Sequence, residues 1–224
     1  SGCSALQNID VSGFNTANVT SMFSLFGSCS SLTSLDVSNF NTANVTNMGS
    51  MFNVCSGLTT LDLSGFNTAN VTYIRAMFAG CTNLATIYVG SDWSTANVTE
   101  GSIYGSIVFQ DCPNLVGGAG TKYDENHTDY TYAHIDGGTD NPGYFTAAGS
   151  EPFHVAEPYA VLSDNNTVLT FYYDDQKEAR NGMSVGPFTN EAARGWNDYM
   201  QSITTVTFDD TFANCTSITS TENL

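Results

Sequence analysis

Residues 29–54 read CSSLTSLDVSNFNTANVTNMGSMFNV, and residues 55–80 read CSGLTTLDLSGFNTANVTYIRAMFAG. The second stretch is the first shifted by 26 positions, with Cys, Leu, Asp, Phe-Asn-Thr-Ala-Asn-Val-Thr and Met-Phe in the same places. A third version, CSALQNIDVSGFNTANVTSMFSLFGS, runs from Cys3. A fourth starts at Cys81, with one extra residue before Trp93 and four more before Cys112. A fixed period over four units means one small motif stacked on copies of itself, because no single copy can bury its own apolar side.

Each unit changes period halfway. Leu32, Leu35 and Val37 follow L-x-x-L-x-V, whose end alternates every second residue as a short strand does. Val45, Met48, Met51, Phe52 and Cys55 then fall three and four apart, which predicts a short helix. The expected fold class is an α/β repeat over residues 1–118. It is a leucine-rich-repeat solenoid with one short parallel strand plus one short helix per 26-residue coil. Equivalent strands should lie about 4.8 Å apart, joined by right-handed crossovers.

The remaining columns have structural uses. Phe14, Phe40, Phe66 and Trp93 are expected as an interior aromatic stack. Asn18, Asn44, Asn70 and Asn97 are expected as a buried ladder bonding the turn backbone of adjacent coils, with Thr16, Thr42, Thr68 and Thr95 acting alike. The same asparagines stand in N-x-T sequons, but a buried ladder leaves no room for a glycan. One cysteine per coil reads as a column of small buried thiols. Disulfides are the other use of six cysteines, and no C-x-x-C-like metal spacing occurs.

Beyond the repeats, residues 119–150 are rich in Gly, Asp, Tyr and Thr, with turn signals at Asp136-Gly137-Gly138 and Asn141-Pro142-Gly143. A stack of coils exposes apolar core at its end, so this segment is expected as a C-terminal cap and linker. Residues 151–224 are expected as a β-hairpin-containing α+β segment, the N-terminal cap and first coil of a second repeat module. YAVLSDNNTVLTFYYDD is its hairpin, turning at Asp164-Asn165-Asn166. Ile203, Val206 and Phe208 match Leu58, Leu61 and Leu63; Thr211 to Cys215 match Met77 to Cys81, and Ile218 matches Leu84. The chain begins inside one repeat and ends inside another, so it is expected to be an excerpt.

LDVSNFNTANVTNMGSMFNVCSGLTTLDLSGFNTANVT resembles the BspA-like leucine-rich repeats of bacterial surface proteins, and NPGYFT and the hairpin segment look like recurring parts of the same modular proteins. The resemblance implies an extracellular protein displayed on a bacterial cell surface. It also implies adhesion to a host extracellular-matrix protein, a glycan or another cell-surface protein. It carries no catalytic residues and no cofactor.

Charge narrows the partners independently. With 22 acidic residues against 5 basic ones, the formal net charge is −17. Such a surface repels phosphate backbones and anionic lipid, which argues against nucleic acid, and no long apolar run predicts membrane insertion within this chain. The outward strand positions are the candidate ligand-binding surface: Asp10, Asp36 and Asp62 in register, followed by Tyr88, with Ser38 and Ser64 beside them. Stacked like charges cost stability, which local hydrogen bonds, a partner or calcium would offset. A calcium loop in Asp124-Glu125-Asn126-His127 with Asp136 and Asp140 lacks the D-x-D-x-D-G pattern. His127, His134 and His154 lack metal-ligand spacing, and neither a G-x-S-x-G elbow nor a phosphate loop is present. The expected function is non-catalytic binding. The alternatives are a passive spacer or stalk in a large modular protein and, third, a carboxylate-based hydrolase.

Overall fold

The computed structural model describes residues 1–99, 107–153, 156–177, 179–186 and 193–215. The chain divides into two compact units, Ser1–Phe153 and His154–Leu224.

In the first unit the 26-residue period becomes a stacking vector. Strand β1 (Thr60–Leu63) pairs in parallel with β2 (Thr86–Val89), Thr60 beside Thr86 and Leu63 beside Val89. Ser21, Asn47 and Tyr73, also 26 apart, form a second parallel ladder of single bridges. Equivalent residues therefore sit above one another, and each apolar column closes on itself. Val37, Leu63 and Val89 form one buried row; Leu32, Leu58, Leu84 and Leu115 form another.

Two expectations about local structure change. First, among the described residues of the repeats, paired strands occur only in the third and fourth, and residues 8–11 and 34–37 run outside any strand. Second, the stretch read as a helix is not helical. In the second repeat, the N–H groups of Met48, Ser50, Phe52 and Val54 donate to the carbonyls of Tyr73, Arg75, Met77 and Ala79 in the next repeat, at 2.8, 2.8, 2.9 and 2.7 Å. The alternate N–H groups of Met51, Asn53 and Cys55 turn back onto Met48, Ser50 and Phe52 within the repeat. Ser50 and Val54 adopt φ of +54° and +55°, as do their equivalents Ser24, Ser28, Ala76 and Gly80 at +52° to +76°. An α-helix needs each N–H for its own carbonyl four residues back. Here every second N–H is taken by the neighbouring repeat, and the left-handed residues reset the chain between them.

This winding packs Phe26, Phe52, Phe78 and Phe109 into one column, with ring centroids 5.8, 5.8 and 5.6 Å apart and planes within 10° of parallel. Of the expected stack of Phe14, Phe40, Phe66 and Trp93, Phe14 and Phe40 meet face to face at 6.5 Å. Phe40 and Phe66 are buried there, Phe14 is half exposed, and Trp93 is partly covered. The longer column is the other one.

Residues 119–150 belong to the same compact unit and the same core. Strand β3 (Thr146–Ala147) continues the sheet in parallel beside β2. Tyr144 and Phe145 are fully buried, meeting Phe109 edge-on at 5.1 and 5.7 Å. The Trp93 indole N–H donates to the Ala133 carbonyl at 2.9 Å.

In the second unit, β4 (Glu157–Ser163) and β5 (Val168–Asp174) form an antiparallel hairpin. Asp164, Asn165 and Asn166 make its turn, all with positive φ, a region that Asn and Asp tolerate best among residues with a side chain. β6 (Met183–Ser184) pairs antiparallel with β4, and β7 (Thr205–Phe208) pairs in parallel with β5. Trp196 and Phe171 meet edge-on in its small core. Val206 and Phe208 are 53% and 58% exposed, whereas their sequence matches Leu61 and Leu63 are buried. The counterpart of Leu84, Ile218, lies outside the described residues.

Candidate functional site

Asp10, Asp36 and Asp62 point outward at the same place in three successive repeats. Each is exposed, and each binds its own turn: the Ser12, Ser38 and Ser64 N–H groups donate to their Oδ1 atoms at 2.9, 2.9 and 2.8 Å. These bonds from Ser12 and Ser38, side chain as well as backbone, hold the Asp10 and Asp36 carboxyls below the usual carboxylate range. No hydrogen bond joins any of these carboxylates to a neighbouring repeat among the described residues. Tyr88 stands beside Asp62 in the β1–β2 register and beside Thr146 in the β2–β3 register. Burial, then Glu151, then Asp62 push its phenol up. The six predicted residues thus form two groups: Asp36 with Ser38, and Asp62 with Ser64 and Tyr88, with Asp10 one repeat further along.

The ladders behind this strip explain why it is regular. The Asn44, Asn70 and Asn97 amides donate to the carbonyls of Ala17, Ala43 and Ala69 in the preceding repeat at 2.8, 2.9 and 2.7 Å. These asparagines are exposed, however, not buried. Crowding therefore does not exclude a glycan; what occupies each amide is its hydrogen bond. Thr16, Thr42 and Thr68 are buried and act in both directions. Each hydroxyl donates to a carbonyl of the next repeat, at Asn41, Asn67 and Ser94, and accepts the N–H of that same residue. The thiols of Cys55, Cys81 and Cys112 donate to the carbonyls of Phe26, Phe52 and Phe78 at 3.1–3.2 Å. Burial pushes the Cys55 thiol up to about 11 and Cys112 to about 12, and raises Cys81 as well. Such thiols are poor nucleophiles.

The acidic residues of 119–150 separate. Asp124 turns onto Asn126, whose backbone N–H and side-chain amide donate to it at 2.9 and 2.8 Å. Asp136 is buried and receives the N–H groups of Ala119 and Thr121 on Oδ2, and the Thr121 hydroxyl and the Gly138 N–H on Oδ1, all within 2.7–2.9 Å. Burial alone raises such a carboxyl, but the four donors outweigh it and the net direction is down. Asp136 pins two turns together. The sequence showed it only as one acid in a turn. Among the described residues no three His, Cys, Asp or Glu side chains converge as metal ligands would. His127 stacks on Tyr132 at 4.7 Å, and His134 Nδ1 lies 2.8 Å from the Ile135 carbonyl. His154 lies outside the described residues.

In the second unit Tyr159, Asp174 and Arg180 form a closed polar set. The Tyr159 hydroxyl donates to Asp174 at 2.6 Å, and Arg180 donates to both at 2.6 and 2.8 Å while lying over the Tyr172 ring. Every group in it is partnered, so it reads as structure.

A family model described as "Mycoplasma protein of unknown function, DUF285" matches residues 1–112, half of the chain. No curated protein and no solved structure matches it. No described helix is long and apolar enough to cross a membrane.

Proposed function

The chain belongs to this family, Mycoplasma protein of unknown function, DUF285, and on that footing we propose that it is a non-catalytic binding module of a BspA-like bacterial surface protein. In this reading the first unit is a leucine-rich-type solenoid displayed outside the cell. Its partner is a host or bacterial surface protein or a glycan, held at the outward positions Asp10, Asp36, Asp62, Ser38, Ser64 and Tyr88.

The supporting observation is the row of exposed carboxylates at one place in three successive repeats, each held by its own turn. Oδ1 is tied to the turn, which fixes the rotamer, and the carboxylate stays exposed at each repeat. A rigid row of acceptors loses little side-chain entropy when a ligand's N–H or O–H groups arrive. The test is a glycan and matrix-protein array, followed by affinity measurement on any hit. Asp36→Ala with Asp62→Ala is expected to weaken binding at least tenfold. An unchanged affinity in that double variant removes this face.

A spacer role is the second reading, supported by the recurrence of the repeat pattern at Ile203 to Cys215 in the second unit. An array without a single hit favours it.

A further inference from the structure

A groove of about 1150 Å³ lies along the residues that flank the cysteine column in the first unit. Val54, Gly80 and Asp111, each immediately before a cysteine, line it, as do Ser56 and Thr82, each immediately after one. Tyr123 and Glu125 line it from the segment that follows the repeats. None of these belongs to the strand-face strip.

Three features bear on what it could hold. Its two acids, Asp111 and Glu125, are exposed, and among the described residues they join no ion pair and no lysine, arginine or histidine lines the groove. The Tyr123 ring, half-buried, is held in place because its hydroxyl accepts the Asp111 N–H at 3.1 Å. The phenol is raised chiefly by burial, and both carboxylates add to the effect, so their fields reach the same ring. Carboxylates beside an aromatic face are the surroundings that favour a guanidinium or ammonium group. The volume exceeds that of the usual pocket for one small molecule, which favours a length of chain over a free ion.

We propose that this groove is a second binding site, and that it takes an extended peptide segment carrying arginine or lysine, the cation seated by Asp111 and Glu125 against Tyr123. The site is independent of the strand-face reading and stands or falls separately.

The test is fluorescence anisotropy of a labelled Gly-Arg-Gly-Arg-Gly-Arg-Gly peptide against the full chain, with a glutamine-for-arginine peptide as the reference. Measuring near 0.15 M salt limits long-range attraction by the net charge. Asp111→Asn with Glu125→Gln is the informative variant, since Asn keeps the left-handed backbone of position 111 (φ +58°) accessible. It is expected to weaken binding at least tenfold. Asp164→Asn with Asp198→Asn removes the same number of charges from exposed positions of the second unit and is expected to leave affinity within twofold. Equal loss in both variants, loss only in the second, or no difference between the arginine and glutamine peptides would each overturn the proposal.

Discussion

Val54 holds φ at +55°, where its equivalents are Ser28, Gly80 and, before the last cysteine of the array, Asp111. A left-handed conformation costs an L-residue about 1–2 kcal/mol, and β-branching adds to the crowding. Val54 is also 41% exposed, so burial offsets little of that cost. Val54→Gly is therefore expected to stabilise the first unit by about 1 kcal/mol, a rise in Tm of about 2–4 °C measured by calorimetry. A lower Tm would mean that packing at this site matters more than the backbone. The two positions are linked, because a side chain at Gly80 would place its Cβ 3.0 Å from the Val54 Cγ2 atom. None of this was readable from the residues. The repeat aligns Ser, Val, Gly and Asp in one column, and only the backbone dihedral says what they share. The asparagine ladder is the converse case. Asn44, Asn70 and Asn97 were legible because a constant amide at a constant place needs a constant partner. Their exposure was not, since a period reports position within a repeat and not depth.

The return segment from Val45 to Cys55 shows how an element can be misread while its core is read correctly. Spacings of three and four identified Val45, Met48, Met51, Phe52 and Cys55 as inward residues, and all five are buried. That spacing is also what a helix requires, so a helix was the expected element. Stacking supplies a competitor that an isolated segment lacks: carbonyls of the next repeat, in register, for every second N–H. The benefit of this winding is the aromatic column, in which Phe52 touches Phe26 and Phe78 on its two faces. Phe52→Ala is expected to cost about 3–5 kcal/mol. Phe14→Ala, at a half-exposed ring stacked only on Phe40, should cost well under half of that. Urea unfolding of the two variants gives the comparison; similar costs would show that the column does not act as the core of the stack.

For the molecule as a whole, several carboxyls lowered by the fold link stability to pH, and Asp136 is the buried one among the described residues. Asp136 has its carboxyl lowered in the folded state. Its contribution is therefore complete above the unfolded value of about 3.9 and is lost as pH falls through the lower folded value. Asp136→Asn keeps the shape but turns an amide toward backbone donors. It is expected to cost about 2–3 kcal/mol at pH 7, with the gap to the wild-type protein closing below pH 4. Thermal unfolding across pH 2–7 measures this, and a gap independent of pH would assign the loss to geometry and not to the charge. Asp136 and the groove at Asp111 and Glu125 both draw on residues 119–150, which follow the repeats. The period itself determined the stacking, the core columns, the ladders and the outward place of Asp10, Asp36 and Asp62, because identical residues at a fixed interval must meet their own copies. What closes the array, which backbone groups bond, and which acids face a cavity were decided only by the tertiary structure. The backbone bonding comes from neighbouring repeats offering carbonyls that no single segment shows, and the closing features come from residues 119–150, which do not repeat and about which the period carries no information.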